Sequence, residues 1–274
     1  METIRELLSS GQLEAAIGHA QTTLRQDPAA TDIRACLIEL LCLDGQLERA
    51  DEMLMSLAKH QPDWLAGAAN LRQLMRAQHA RVALTKGQLA DDVVATEGEQ
   101  LEALLATHLA LSEGRYSDAA EAAGRLEAGR SPAIYQVGDV QGDFRDCDDS
   151  LAGFFEGLGT DGHYYLWLWS DIQEVEFHRA SSPVELIWRR ASVTLKDGRQ
   201  GEVFVPLTYL NSVTETQKLG RETDWQSHGD ELVTGLGLKM FLLGDEAITL
   251  EGLQRLTCID EVAVSEAENA EAQG

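Results

Sequence analysis

The chain has 274 residues, 44% of them hydrophobic and 25% charged, enough for one large globular core or two ordinary ones. Its formal net charge is −24, with 20 acidic and 12 basic side chains in residues 1–130 and 26 and 10 in residues 131–274. Nucleic acid and anionic membranes, which bind by phosphate neutralisation, are poor partners for such a chain.

No apolar run reaches the ~18 residues that cross a bilayer. The opening METIRELLSSGQLEAA has no apolar signal-peptide core, so a cytoplasmic location is expected. Cys36, Cys42, Cys147 and Cys258 are scattered and form no CxxC pair. Free, mostly buried thiols are expected, and no metal or cofactor.

In chain order, GQLEAAIGHAQTTLRQDP (Gly11–Pro28) and GQLERADEMLMSLAKHQP (Gly45–Pro62) share one grammar at a spacing of 34 residues. Each has a glycine, an alanine five residues on (Ala16, Ala50) and a closing proline. Leu13, Ala16, Ile17, Ala20 and Leu24, and likewise Leu47, Ala50, Leu54 and Leu57, recur at helical spacing. The glycine suits a helix stop, and the proline ends the unit. Residues 31–43 give the intervening helix, with Ile33, Leu37, Leu40 and Leu41 on its apolar face. A third copy begins at Gly114, with Ala119 in the alanine place. Residues 64–84 are expected to be helical, and Thr96 with Glu99 to cap the helix that follows. GQLADD at Gly87 is out of phase and is expected to be a loop.

This grammar resembles the tetratricopeptide repeat, or TPR, in degenerate form. Stacked helix pairs leave a groove that accepts a peptide or helix, and in this register Arg5, Asp32, Ala35, Glu39 and Cys42 face it. The alternative is that so few repeats merely pack against the rest of the chain.

After Pro132 the pattern changes. SLAGFFEGLG (150–159) is expected to be one short helix. HYYLWLW (163–169) has the two-sided apolar character of a buried strand. SVTLKDGRQGEVFV (192–205) is expected to be a hairpin turning at Asp197-Gly198, and residues 237–250 supply one or two further apolar elements. The acidic end is expected to be disordered.

The predicted fold is α plus α+β in two domains. TPR-like helices occupy 1–130. A mainly antiparallel sheet or small barrel with a short helix occupies 131–262, and an acidic disordered tail 263–274.

Five carboxylates, Asp139, Asp143, Asp146, Asp148 and Asp149, fall within eleven residues. They leave open a metal-binding or hydrolytic role. The nearest calcium-loop register, from Asp146, has Leu151 where glycine is required and Gly157 where a bidentate glutamate is required. No nucleophile elbow, HExxH or P-loop is present. In LGRETDWQ (219–226), Arg221 beside Glu222 and Asp224, with Trp225, suits either a buried ion pair or a contact patch.

The phrases DFRDCDDSLAGFFEGL, GHYYLWLW, PVELIWRRASVTLKDG, VPLTYLNS and LGRETDWQ, in this order, resemble the ImpE/SciE family, also called TagJ. These are accessory proteins of bacterial type VI secretion. The chain departs from the family at HYYLWLW, where proline is frequent, and in its acidic tail. The resemblance implies a non-enzymatic adaptor that binds an N-terminal helix of the small contractile-sheath subunit and is linked to the ClpV AAA+ ATPase. A chaperone for a secreted effector is the further alternative. Candidate contact residues are Arg5, Asp32, Ala35, Glu39, Cys42, Arg221 and Trp225, with no catalytic residue.

Overall fold

The computed structural model describes residues 1–259. The expected acidic tail at 263–274 lies outside the described residues.

The first 128 residues form α1 (Glu2–Ser9), α2 (Leu13–Gln26), α3 (Thr31–Leu43), α4 (Leu47–His60), α5 (Leu65–Leu84), α6 (Glu99–Ser112) and α7 (Tyr116–Ala128). A short strand, β1 (Val93–Ala95), separates α5 from α6. Helices α1–α2, α3–α4 and α6–α7 are the pairs the repeat grammar predicts. Ala16, Ala50 and Ala119 have no exposed surface, because the paired helix crosses directly over them.

Gly11, Gly45 and Gly114 stop the first helix of each pair at φ of +77°, +82° and +70°. In each case the glycine N–H donates to the carbonyl three residues back, at Leu8, Cys42 and Leu111. The next N–H reaches five back, to Leu7, Leu41 and Ala110, which completes a Schellman ending. The same pair of bonds forms at Gly87, at φ +68°: its N–H donates to Leu84 O and the Gln88 N–H to Ala83 O. It therefore stops α5 as a repeat glycine would, but no second helix follows and the chain runs out into β1. Helix α6 does start at Glu99, but Gly98 caps it without any side-chain bond, so the capping box expected from Thr96 does not form.

The remainder forms β2 (Ile134–Val137), β3 (Val140–Asp146), β4 (Phe154–Gly159), β5 (Tyr164–Leu168), β6 (Ile172–Phe177), β7 (Trp188–Leu195) and β8 (Gln200–Pro206). Then come α8 (Glu215–Lys218), β9 (Thr223–Ser227), β10 (Val233–Gly237), β11 (Met240–Leu243), β12 (Glu246–Thr249) and β13 (Arg255–Cys258). Eleven strands make one sheet in the order β1-β5-β4-β8-β7-β6-β13-β2-β3-β11-β12, and β9 with β10 form a separate ribbon. Every ladder is antiparallel except β1 on β5, which the helical half contributes.

The sheet curls enough for Phe144 of β3 and Phe155 of β4 to pack on the same indole, Trp169, at 4.6 and 5.0 Å between ring centroids. Among the described residues no ladder joins the end strands β1 and β12, so the sheet is open and not the small barrel expected as an alternative.

Residues 154–159 are strand, not helix. All six are buried. Phe154 and Leu158 join the core shared with the helices, and Phe155 joins the second core on the far side of the sheet. A strand covered on both faces loses its alternation, and short apolar runs then read equally as helix. Among the described residues, the one short α-helix of this half is α8, and it carries a true capping box between Thr214 and Gln217.

The β7–β8 hairpin forms at Asp197-Gly198 as a three-residue loop. Gly198, at φ +90°, donates to Leu195 O, and Leu195 N–H donates to Arg199 O. The larger core runs without a break from Ile4 and Leu41 in the helices to Leu166 and Trp188 in the sheet. Helices and sheet thus share one interior.

Candidate functional site

The helix-stop glycines give a common register. Six residues before them stand Arg5, Glu39, Arg81 and His108. The helix turn places this position on the inner face of the repeat stack, and the last three all point at the C-terminal half. The Glu39 carboxylate accepts the Val184 N–H at 2.9 Å, at the start of a 3-10 turn (Pro183–Leu186) that packs on α3. Arg81 forms a bidentate pair with Glu156 of β4, at 2.7 and 3.1 Å, and also donates to Thr208 O at 3.0 Å. His108 lines a cavity in the same seam.

Glu156 is the centre of a buried ionic network. Its Oε1 also accepts the Tyr164 hydroxyl at 2.6 Å, and its Oε2 lies 2.5 Å from Lys239 Nζ. Lys239 reaches Asp146 at 2.9 Å, and Tyr209 donates to the other Asp146 oxygen at 2.8 Å. Arg81, Glu156, Asp146 and Lys239 are all within 5% of complete burial. Burial alone would push the Glu156 carboxyl up; Arg81 and Lys239 outweigh it and hold the group well below the usual carboxylate range. For His108 burial prevails over the opposing charge of Glu156, which Arg81 offsets, and pushes its pKa down to about 4.

The carboxylates of the 139–149 cluster are dispersed among separate partners. Asp143 pairs with Arg130 at 2.6 Å and accepts the Ala133 N–H at 2.9 Å. Asp146 serves Lys239 and Tyr209. Asp148 accepts the Ser150 N–H, the Ser150 hydroxyl and the Gly235 N–H at 2.6–2.9 Å. Burial and neighbouring Asp146 push Asp148 up to about 6. Asp149 accepts Arg145 and the Val233 N–H, and Asp139 is exposed. These bonds staple the β9–β10 ribbon to the loop after β3. Among the described residues no three His, Cys, Asp or Glu side chains converge as metal ligands.

A second seam joins α8 to the repeat turns. The Glu215 carboxylate accepts the Glu14 N–H at 2.6 Å, in the first turn of α2. Lys218 pairs with Asp44, beside Gly45, at 2.8 Å. The Arg221 side chain lies against Gly11, with its Cδ 3.7 Å from where a Cβ would stand. The repeat openings at Gly11 and Gly45 and the segment leading into LGRETDWQ therefore meet in space.

Of the sequence-derived contact residues, Arg5 and Asp32 are exposed, and Ala35 and Glu39 are half-buried. Cys42 is buried. Arg221 is exposed and forms no ion pair among the described residues; Glu222 instead accepts the Thr214 and Thr216 hydroxyls. Trp225 is exposed on β9, its ring 6.1 Å from that of Tyr209. Arg81, His108, Glu156 and Lys239 were not singled out from sequence. Their signal was present: Arg81 and His108 share the register of Glu39, and Glu156 and Lys239 are lone charges inside the apolar runs FFEGL and GLKMFLL.

A family model described as ImpE protein matches residues 138–257, and one described as tetratricopeptide repeat matches residues 7–75. The chain is 24% identical over 229 residues to the type VI secretion system accessory component TagJ of Pseudomonas aeruginosa, covering 82% of this chain and 81% of that one. The chain belongs to the ImpE/TagJ family. The crystal structure of protein VPA1032 from Vibrio parahaemolyticus superposes with a TM-score of 0.90 at 35% identity, over 96% of this chain and 99% of that chain. The ImpE match takes in the Asp146–Asp149 loop, Glu156 and Lys239, and the repeat match takes in both α8 contacts on the helical side, Glu14 and Asp44. Arg81 falls between the two matched segments, on the helix that joins them in space.

Proposed function

We propose that the protein is a non-enzymatic accessory component of a bacterial type VI secretion system, acting in the cytoplasm. In this reading it holds a helix of the small contractile-sheath subunit and links it to recycling by the ClpV ATPase. The observation that carries the reading is similarity to TagJ along four-fifths of both chains, over TPR-like repeats suited to helical ligands. The polar groups around Glu156 saturate one another, which supports a structural use for them rather than a catalytic one.

Among the candidate contacts, Arg5, Asp32, Arg221 and Trp225 are the accessible ones. We assign them the partner and assign Glu39 and Cys42 to the seam between the halves. The test is fluorescence anisotropy with a labelled peptide of the sheath subunit's N-terminal helix. Saturable binding is expected, weakened about tenfold or more by Arg5→Glu combined with Arg221→Glu. Absence of binding at about 100 μM would remove the reading, since affinities weaker than this correspond to under about 6 kcal/mol.

A further inference from the structure

A cavity of about 300 Å³ opens where α5, α6 and α7 face the β9–β10 ribbon. Ser112, Tyr116, Asn211 and Gln226, all exposed, form its mouth. Its floor is buried and includes Arg81, His108, Asp148, Glu156, Tyr164 and Tyr209.

Three observations point to a ligand. First, His108 is only 7% exposed, yet its ring makes no hydrogen bond among the described residues, and Nε2 is buried without a partner. Buried polar atoms of this kind call for an occupant of the adjoining space. Second, the buried charges of the network at its floor do not cancel. Arg81 and Lys239 give two positive charges, and Asp146, Asp148 and Glu156 three negative ones, a net of −1. Arg81 is matched by Glu156 and Lys239 by Asp146, so the uncompensated group is Asp148, whose hydrogen bonds come only from neutral donors. Third, the walls are aromatic. Tyr116, Tyr164, Tyr209 and His228 surround the space with His108. Tyr116 stands two residues after its stop glycine, where the first two repeats bury Leu13 and Leu47; here the ring is 48% exposed and 5.3 Å from that of His228. A dehydrated carboxylate beside several aromatic rings is the chemistry that takes an organic cation.

We propose that this cavity binds an organic ammonium group, supplied by a small free amine or by a lysine side chain of a partner segment entering between Ser112 and Tyr116. The site acts without the sheath subunit, so it stands or falls separately from the function proposed above.

The test is isothermal titration calorimetry on the full chain alone, with n-butylammonium chloride and with lysine blocked at both ends. Controls are n-butanol, sodium butyrate and blocked norleucine. Saturable binding of butylammonium and none of the controls is expected. Binding of blocked lysine as well assigns the group to a partner side chain, and its exclusion assigns it to a free amine. Tyr116→Leu, at an exposed position, should weaken binding roughly two- to fivefold, the usual worth of one accessible cation–π contact. Ser112→Trp, at the exposed end of α6, should close the mouth and abolish binding with an unchanged melting curve. No saturable binding of butylammonium up to about 10 mM, which lies beyond specific recognition, equal binding of butyrate, or undiminished affinity in Ser112→Trp would each overturn the proposal and leave the cavity as a water pocket.

Discussion

Replacing Glu156 by Gln tests whether the helical half and the sheet are held by charge at their centre. Glu156 receives four donors: Arg81 Nε at 2.7 Å, Arg81 Nη2 at 3.1 Å, the Tyr164 hydroxyl at 2.6 Å and Lys239 Nζ at 2.5 Å. A glutamine amide has only one oxygen, so whichever way it turns its NH2 faces donors. Arg81, at 2% exposure, loses its counter-charge altogether, while Lys239 keeps Asp146. Breaking a buried pair from one side costs about 3–5 kcal/mol. For a chain of this size that lowers the melting temperature by roughly 6–20 °C. Removing both partners, as Arg81→Met with Glu156→Leu, leaves no orphaned charge at that pair and should recover at least half of the loss, a coupling that a double-mutant cycle reads directly. The deficit should also depend on pH. The folded Glu156 carboxyl is depressed, so its contribution is complete above its unfolded pKa of about 4.3 and disappears as pH falls. The gap between wild type and Glu156→Gln should close in acid. A loss below about 1 kcal/mol at pH 7 would show that this network does not hold the halves together.

His108, depressed by burial to about 4, contributes stability that is complete above its unfolded pKa of about 6.5 and is lost as pH falls through about 4. Denaturation of wild type and His108→Leu across that window should show a stability difference that grows with pH by about 3 kcal/mol, and a constant difference would contradict it. Gly45→Ala, at φ +82° in open space, should cost about 1–2 kcal/mol from the left-handed backbone alone. Gly87→Ala should cost about 1 kcal/mol more, because its new Cβ would lie 2.5 Å from that of Leu109; equal melting temperatures would show that α6 moves aside freely. Ala50→Asp places an unpaired charge at a site with no exposure, and circular dichroism should show loss of the cooperative melt.

The helical repeats were legible in sequence because each depends on local chemistry: a glycine that tolerates positive φ, a small residue at the crossing, and a 3.6-residue period. The hairpin at Asp197-Gly198 was legible for the same reason. The fate of residues 154–159 was not. Phe154-Phe155-Glu156-Gly157-Leu158 has no period once both faces are covered, and what covers them, α5 on one side and Trp169 on the other, comes from elsewhere in the chain. Thr96 and Glu99 had the spacing of a capping box, yet the helix is capped at Gly98, two residues later than that box requires, which makes Glu99 its first residue and not its third. GQLADD is the loop that its phase implied. Its glycine does stop a helix as the repeat glycines do, but the partner helix is replaced by β1, whose pairing with β5 no local pattern announces.

The candidate contacts show the same division. Counting back six residues from each stop glycine gives Arg5, Glu39, Arg81 and His108, the places where a repeat stack presents side chains to whatever fills it. In this chain the filling comes largely from within: Glu39 holds the turn at Val184, Arg81 holds Glu156, and His108 faces the cavity. Glu39 therefore follows the repeat rule and still differs from an open groove residue, and Glu39→Lys should cost stability as well as any partner contact. Arg5 is the exposed member of the series, next to the turn at Gly11 against which Arg221 lies. For the proposed partner this arrangement leaves two accessible places, the open end at α1 and the mouth between Ser112 and Tyr116. A variant at each, Arg5→Glu and Ser112→Trp, separates them: loss of sheath-peptide binding in the first alone puts the partner at the repeat end, and loss in the second alone puts it in the seam.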